Sequence, residues 1–119
     1  MLEVVFHRDE RDRPSGFSAR GHAEFDVHGK DVVCAAVSGI LQAARLGISE
    51  YARVEIRTRQ QPGRLEVEIP AEARDLESVR AIVATARLAI EQIAAEYPDH
   101  LRFAAKKGRA GRNADAPSG

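Results

Sequence analysis

The sequence has one cysteine, one methionine and no tryptophan, and its 18 basic residues balance 18 acidic ones to a formal net charge of zero. A single thiol cannot close an internal disulfide, which excludes a disulfide-stapled scaffold and fits a reducing, cytoplasmic setting. Aromatic residues make up 5% of the chain, so its core must be aliphatic. Zero net charge excludes binding through an overall positive field, and direct nucleic-acid binding is not expected. The start, Met1 to His7, lacks a basic segment followed by an apolar one, and no run approaches membrane-spanning length. No membrane contact is expected. A length of 119 residues is enough for one domain with a modest core.

Hydropathy patterning orders the chain as β-β-α-β-β-α-β. Val4, Val5 and Phe6 form a first β-forming run, and the Asp9–Gly16 segment, rich in charge with Pro14 and Gly16, is a turn. Phe17, Ala19 and Gly21 then alternate with Ser18, Arg20 and His22, giving a second strand that ends at His22. Ala23 to Lys30 has no period and reads as a loop. Asp31 is placed to cap a helix, in which Val33, Val37, Ile40, Ala44 and Ile48 form one apolar stripe to about Tyr51. Val54, Ile56 and Thr58, then Leu65, Val67 and Ile69, alternate with charged residues around Pro62-Gly63 and predict an amphipathic hairpin. A second helix, capped by Asp75, carries Leu76, Val79, Val83, Ala86, Ile90 and Ile93 and ends before Pro98. Leu101 and Phe103 mark a last strand, from about His100 to Ala104. The expected architecture is α+β and two-layered, with two helices on a mostly antiparallel five-stranded sheet. One domain spans residues 1–105, followed by a flexible basic tail from Lys106 to Gly119.

The chemistry concentrates in Gly21 to Gly39, which holds the only thiol and two of the four histidines. A thiol is poorly ionised at neutral pH, but the free amides at a helix start favour the thiolate. On the Asp31-capped register, Cys34 stands third in its helix, and His22 precedes it by twelve residues across the Ala23–Lys30 loop. A thiol and imidazole so placed can attack a carbonyl carbon and return a proton to the leaving amine, with free helix amides holding the oxyanion. Several readings stay open on spacing alone. A single apolar-flanked cysteine such as Cys34 is most often an inert core residue. His28 is a rival partner for it, whereas His7 and His100 sit in strands and read as structural. Asp31 can orient His22 or merely cap the helix, and Ser38 can face the thiol or bond back to its own helix. Cys34, His22 and His28 match no zinc spacing, so neither a metal nor a cofactor is expected, although a metal-dependent hydrolase remains a third reading. Gly29-Lys30-Asp31 is not a phosphate-binding loop. A reading from another class is a non-catalytic ribosome- or RNA-binding module using the basic Lys106–Arg112 run.

Gly21-His22-Ala23 followed by Gly29-Lys30-Asp31-Val32-Val33-Cys34-Ala35-Ala36-Val37-Ser38 resembles the ribosomal-processing cysteine protease family Prp. The resemblance covers about residues 1 to 105, with its specific part in Gly21–Ser38. It implies a cysteine endopeptidase that removes the N-terminal extension from the precursor of large-subunit ribosomal protein twenty-seven. By position, Cys34 becomes the nucleophile and His22 the general base, with Asp31 and Ser38 in support. The resemblance further implies a homodimer. It also implies a substrate-closing loop of Ala23, Glu24, Phe25, Asp26, Val27, His28, Gly29 and Lys30.

Overall fold

The computed structural model describes residues 1–21 and 28–108, apart from the side chains of residues 28–31. The expected element order is present: β1 (Leu2–Arg8), β2 (Pro14–Arg20), α1 (His28–Leu46), β3 (Arg57–Gln61), β4 (Arg64–Glu68), α2 (Glu77–Glu96) and β5 (Leu101–Lys107). The five strands form one sheet in the order β3-β4-β2-β1-β5. All neighbours are antiparallel except β1 and β5, which run parallel.

Both helices cover one face of this sheet, because the strongly apolar side chains of the strands are concentrated on that face. Leu2, Val4 and Phe6 of β1, Phe17 of β2, Leu65 and Val67 of β4 and Leu101 of β5 are buried there. They meet Val33, Val37, Leu41 and Ala44 of α1, and Val79, Val83, Ala86 and Ile90 of α2. Full burial of each large aliphatic chain contributes roughly 1.5–3 kcal/mol. Phe6 packs between Phe17 and Phe103, with ring centroids at 5.5 and 6.0 Å. The opposite face carries exposed cross-strand pairs, Arg57–Glu68 at 3.9 Å and Arg59–Glu66 at 3.6 Å. Solvent-exposed pairs of this kind add at most about 1 kcal/mol each, so they make this face wet rather than stable. His7 lies on it, with Nε2 3.4 Å from the Ser18 hydroxyl. Burial, aided by Lys106 and opposed by Glu66, holds its imidazole below the ordinary range.

Five expectations need correction. The helix predicted to start behind an Asp31 cap starts at His28, so Asp31 is its fourth residue. The one glycine in His28-Gly29-Lys30 costs only about 1 kcal/mol, too little to stop a helix whose next turns are docked on the sheet. The same helix overturns the expectation that no run reaches spanning length: Val32–Tyr51 has 20 residues and a mean hydropathy of 1.6. Its stripe is core, but only 28% of that window is buried, because alanines, glycines and Val32 fill the outward face. After Leu46 it continues as a π-helical turn, Gly47–Tyr51. A Cβ at Gly47 would stand 3.2 Å from Cδ1 of Ile82 on α2, a tight contact that the end of the Ile82 side chain would have to shift to accommodate.

The third correction concerns β3, which comprises Arg57–Gln61 rather than the Val54–Thr58 alternation. Val54 is buried and Ile56 packs against the core, but both precede the strand. Their apolarity marks contact with the core in irregular backbone, not the pleat. Asp75, expected to cap α2, instead pairs with Arg13 at 3.1 Å, while Leu76 occupies the cap position without a side-chain bond. Lys106 and Lys107, assigned to the tail, belong to β5 and pair with His7 and Arg8. Ladder bonding to β1 overrides their weak strand propensity. The Arg109–Gly119 part of the predicted tail lies outside the described residues.

One polar cluster ties the β1–β2 turn to the segment before α2. Asp9 accepts the amides of Arg11 and Arg13 at 2.9 and 3.0 Å, and the guanidinia of Arg13 and Arg74 at 2.9 and 3.2 Å. Burial pushes this carboxyl up, but the Arg13 amide, the Arg74 guanidinium, the Arg11 amide and the Arg13 guanidinium outweigh it and hold it at about 2. Asp9→Asn should lower unfolding stability by roughly 1–3 kcal/mol. The native carboxylate binds fewer protons than the unfolded one, so its contribution is intact above the ordinary 3.8 and disappears as pH falls toward 2. Denaturant titrations at stepped pH should show that acid-limb loss in the wild type and its absence in the variant.

Candidate active site

The core stripe of α1 determines where its thiol points. Val33, Val37, Leu41 and Ala44 are buried against the sheet. One residue round the helix, Cys34, Ser38 and Gln42 follow at four-residue spacing and so share a second line beside the stripe. That line opens onto a cleft of about 270 Å³. Cys34 is free, half-buried and packed against the edge of the core. Leu2, Ala19 and Leu65 supply the apolar part of the lining, and Gln60, Gln61 and Arg64 supply the far, polar wall.

Gly21, which follows β2, also lines the cleft. Its φ is +125°, and a Cβ there would run into the Met1 carbonyl and press on the Leu2 backbone. Its amide donates to the Gly63 carbonyl at 3.0 Å. The glycine of the Gly21-His22-Ala23 motif is therefore required by backbone geometry. It brings the chain to the cleft immediately before His22.

Of the residues singled out in the sequence, Cys34 and Ser38 come together at this cleft. Ser38 is exposed, and its hydroxyl does not bond back to the Cys34 carbonyl, unlike that of Thr85, which donates to Ala81 at 2.7 Å. Because α1 starts at His28, Cys34 is its seventh residue, and the free amides are those of the first turn. The expectation that the Cys34 amide itself helps to hold an oxyanion is thereby corrected. His28, Gly29 and Lys30, assigned to the loop, are helical in backbone. His22 and Ala23–Val27 lie outside the described residues, as do the side chains of His28 and Asp31. Among the described residues no three potential metal ligands converge. Sequence reasoning missed Gln42 and Gln60; the signal for Gln42 was its place eight residues after Cys34 on the same helical line.

A family model described as cysteine protease Prp matches residues 1–102. No curated protein sequence gives a significant match. Among solved structures, the chain is similar to SMU.848 from Streptococcus mutans, at 20% identity and a TM-score of 0.77 over 91% of this chain and 96% of that one. It is also similar to the essential ribosomal processing protease Prp from S. aureus in complex with a substrate peptide. There the identity is 19% and the TM-score 0.79, over 89% of this chain and all of that one (100%). The S. aureus protease with a covalently linked product peptide gives 19% identity and a TM-score of 0.78 over the same 89% and 100%.

Gly21→Ala should destabilise the fold by roughly 1–3 kcal/mol, and hydrolysis of a test peptide should fall at temperatures where the variant remains folded. Gly39→Ala is the control. A Cβ at Gly39 meets nothing within 4 Å, so thermal melts should show no loss there.

Proposed function

The chain belongs to the Prp family of cysteine proteases, and from that membership we propose that it is an endopeptidase trimming a ribosomal protein precursor. Its substrate on this reading is the N-terminal extension of large-subunit ribosomal protein twenty-seven. The observation that carries the proposal is the family match over residues 1–102 together with the one thiol of the chain facing a cleft beside the matched motif. The peptide-bound S. aureus relatives, described as ribosomal processing proteases, support the choice of substrate.

The mechanism follows from the two side chains. His22 takes the Cys34 proton, and the Sγ thiolate attacks the scissile carbonyl carbon to give a tetrahedral oxyanion. Collapse breaks the C–N bond as His22 returns the proton to the leaving amine, leaving a thioester on Cys34. Water, deprotonated by the same imidazole, releases the acyl product and regenerates the thiol. Asp31 orients His22 in this scheme, and Ser38 supports the thiol from one helical turn away. Ala23–Lys30 is the substrate-facing segment, the setting is cytoplasmic, and the reaction uses no cofactor or metal.

The functional unit on this reading is a homodimer. Val32 is 64% exposed and Leu46 47%; between them on α1, Ala35, Ala36, Gly39 and Ala43 are exposed, with Ser38 also exposed on the flank toward the cleft. On α2, Leu88 is 57% exposed. A groove of about 440 Å³ between the helices is lined by Ile40, Ala43, Gly47, Ile82 and Thr85. An apolar face of this extent is characteristic of an interface, and a second copy presents the same uncharged surface.

Incubation with a peptide spanning the extension junction should give two products by mass spectrometry. Cys34→Ala should lower the rate by at least about a thousandfold; full activity in that variant would overturn the mechanism. Ala43→Glu should convert the dimer to monomer in sedimentation velocity. Dimers persisting in Ala43→Glu, or a monomeric wild type, would remove the proposed interface.

A further inference from the structure

The inner face of the sheet is apolar on every strand but one. The β3–β4 register pairs Thr58 with Val67 and Gln60 with Leu65, and paired residues share a face. Val67 and Leu65 are 1% and 7% exposed and belong to the core. Thr58 and Gln60 therefore point to the helix side of the sheet, yet both are exposed. The helical layer stops short of β3, and the uncovered strip is polar where a core strand would carry Val or Ile. Gln60 lines the cleft that holds Cys34.

Facing this strip, α1 contributes Gln42, half-buried and on the same line as Cys34. Its Oε1 accepts the Arg45 Nε–H at 2.7 Å. With the oxygen so engaged, the NH2 end of the carboxamide is the donor left for the cleft. Eight residues of helix separate Gln42 from Cys34, about 12 Å at 1.5 Å per residue. An extended peptide advances about 3.3 Å per residue, so that span corresponds to three or four substrate residues.

We infer that Gln42 and Gln60 form the two walls of a substrate channel between α1 and β3, with the Gln42 amide donating to a peptide carbonyl three or four residues from the scissile bond. This rests on the protease reading above and specifies how that site holds an extended chain. Carboxamides suit the task because they bond to backbone groups without selecting a side chain. The channel thus measures substrate length on one side of the cut.

The test uses full-length protein and a quenched fluorescent peptide with six residues on each side of the junction, plus two versions cut to two residues on one side or the other. On the long peptide, Gln42→Ala and Gln42→Glu should each raise KM by about three- to tenfold, with kcat changed less than about twofold. Gln42→Glu keeps the stem but loses the donor. Gln60→Ala should act in the same sense. On one of the two shortened peptides wild type and Gln42→Ala should have equal KM, which identifies the side the channel serves. An unchanged KM in Gln42→Ala or Gln42→Glu on the long peptide overturns the assignment, as does a Gln42→Ala effect that persists on both shortened peptides. A wild type that leaves all three peptides whole removes the protease reading instead, and the channel with it.

Discussion

The docking of one stripe of α1 on the sheet is the contact from which the rest of the architecture follows. Val33, Val37 and Leu41 are 2%, 1% and 1% exposed, and together they leave the helix no rotational freedom about its axis. Once that stripe is set, the neighbouring line of side chains has only one direction to face. Cys34 is half-buried because it stands at the border between the docked stripe and the open flank. A thiol in the middle of the stripe would be sealed in the core, and one on the far side would have no cleft. The same packing that stabilises the domain aims its thiol.

The sheet makes the complementary contribution by ending its apolar surface one strand before its edge. β4 is a core strand on its inner face, whereas β3 is exposed at every residue. That boundary leaves a ledge beside α1 where water-soluble chain can lie. At the opposite end of the molecule the Asp9, Arg13, Arg74 and Asp75 cluster closes the β1–β2 turn against the entry to α2. Near the cleft the polar contacts are local: Gln42 accepts from Arg45 on its own helix and Arg64 pairs with Glu66 on its own strand.

Much of this arrangement was legible in the sequence because the strongest signal, apolar periodicity, is also the strongest determinant of packing. The element order, the β1–β2 hairpin and the core stripes of both helices stand where the spacing places them. The departures share a cause. Capping and strand edges depend on energies of about 1 kcal/mol, which tertiary contacts override. Asp31 and Asp75 look like caps in isolation, but α1 extends a further turn ahead of Asp31, and the Asp75 carboxylate is turned to Arg13 instead. Val54 and Ile56 read as pleat because a core contact in irregular backbone has the same composition. At the site, the Cys34–Ser38 relation was readable from helical spacing. Gln42 continues that line, but like Gln60 it looks like any solvated glutamine until the opposing element is known.

The parallel pairing of β1 with β5 joins Leu2 to Leu101 and Arg8 to Lys107, and the Leu2 amide donates to the His100 carbonyl at 3.2 Å. Leu2 is at once a partner of the last strand and part of the thiol cleft. The Leu2 part of the cleft lining is therefore held by residues almost a hundred positions further along the chain. Until β5 is in place the β1 edge has no partner, and Leu2 lacks the strand that fixes it beside Cys34. Formation of the cleft is thus coupled to the longest-range pairing in the sheet.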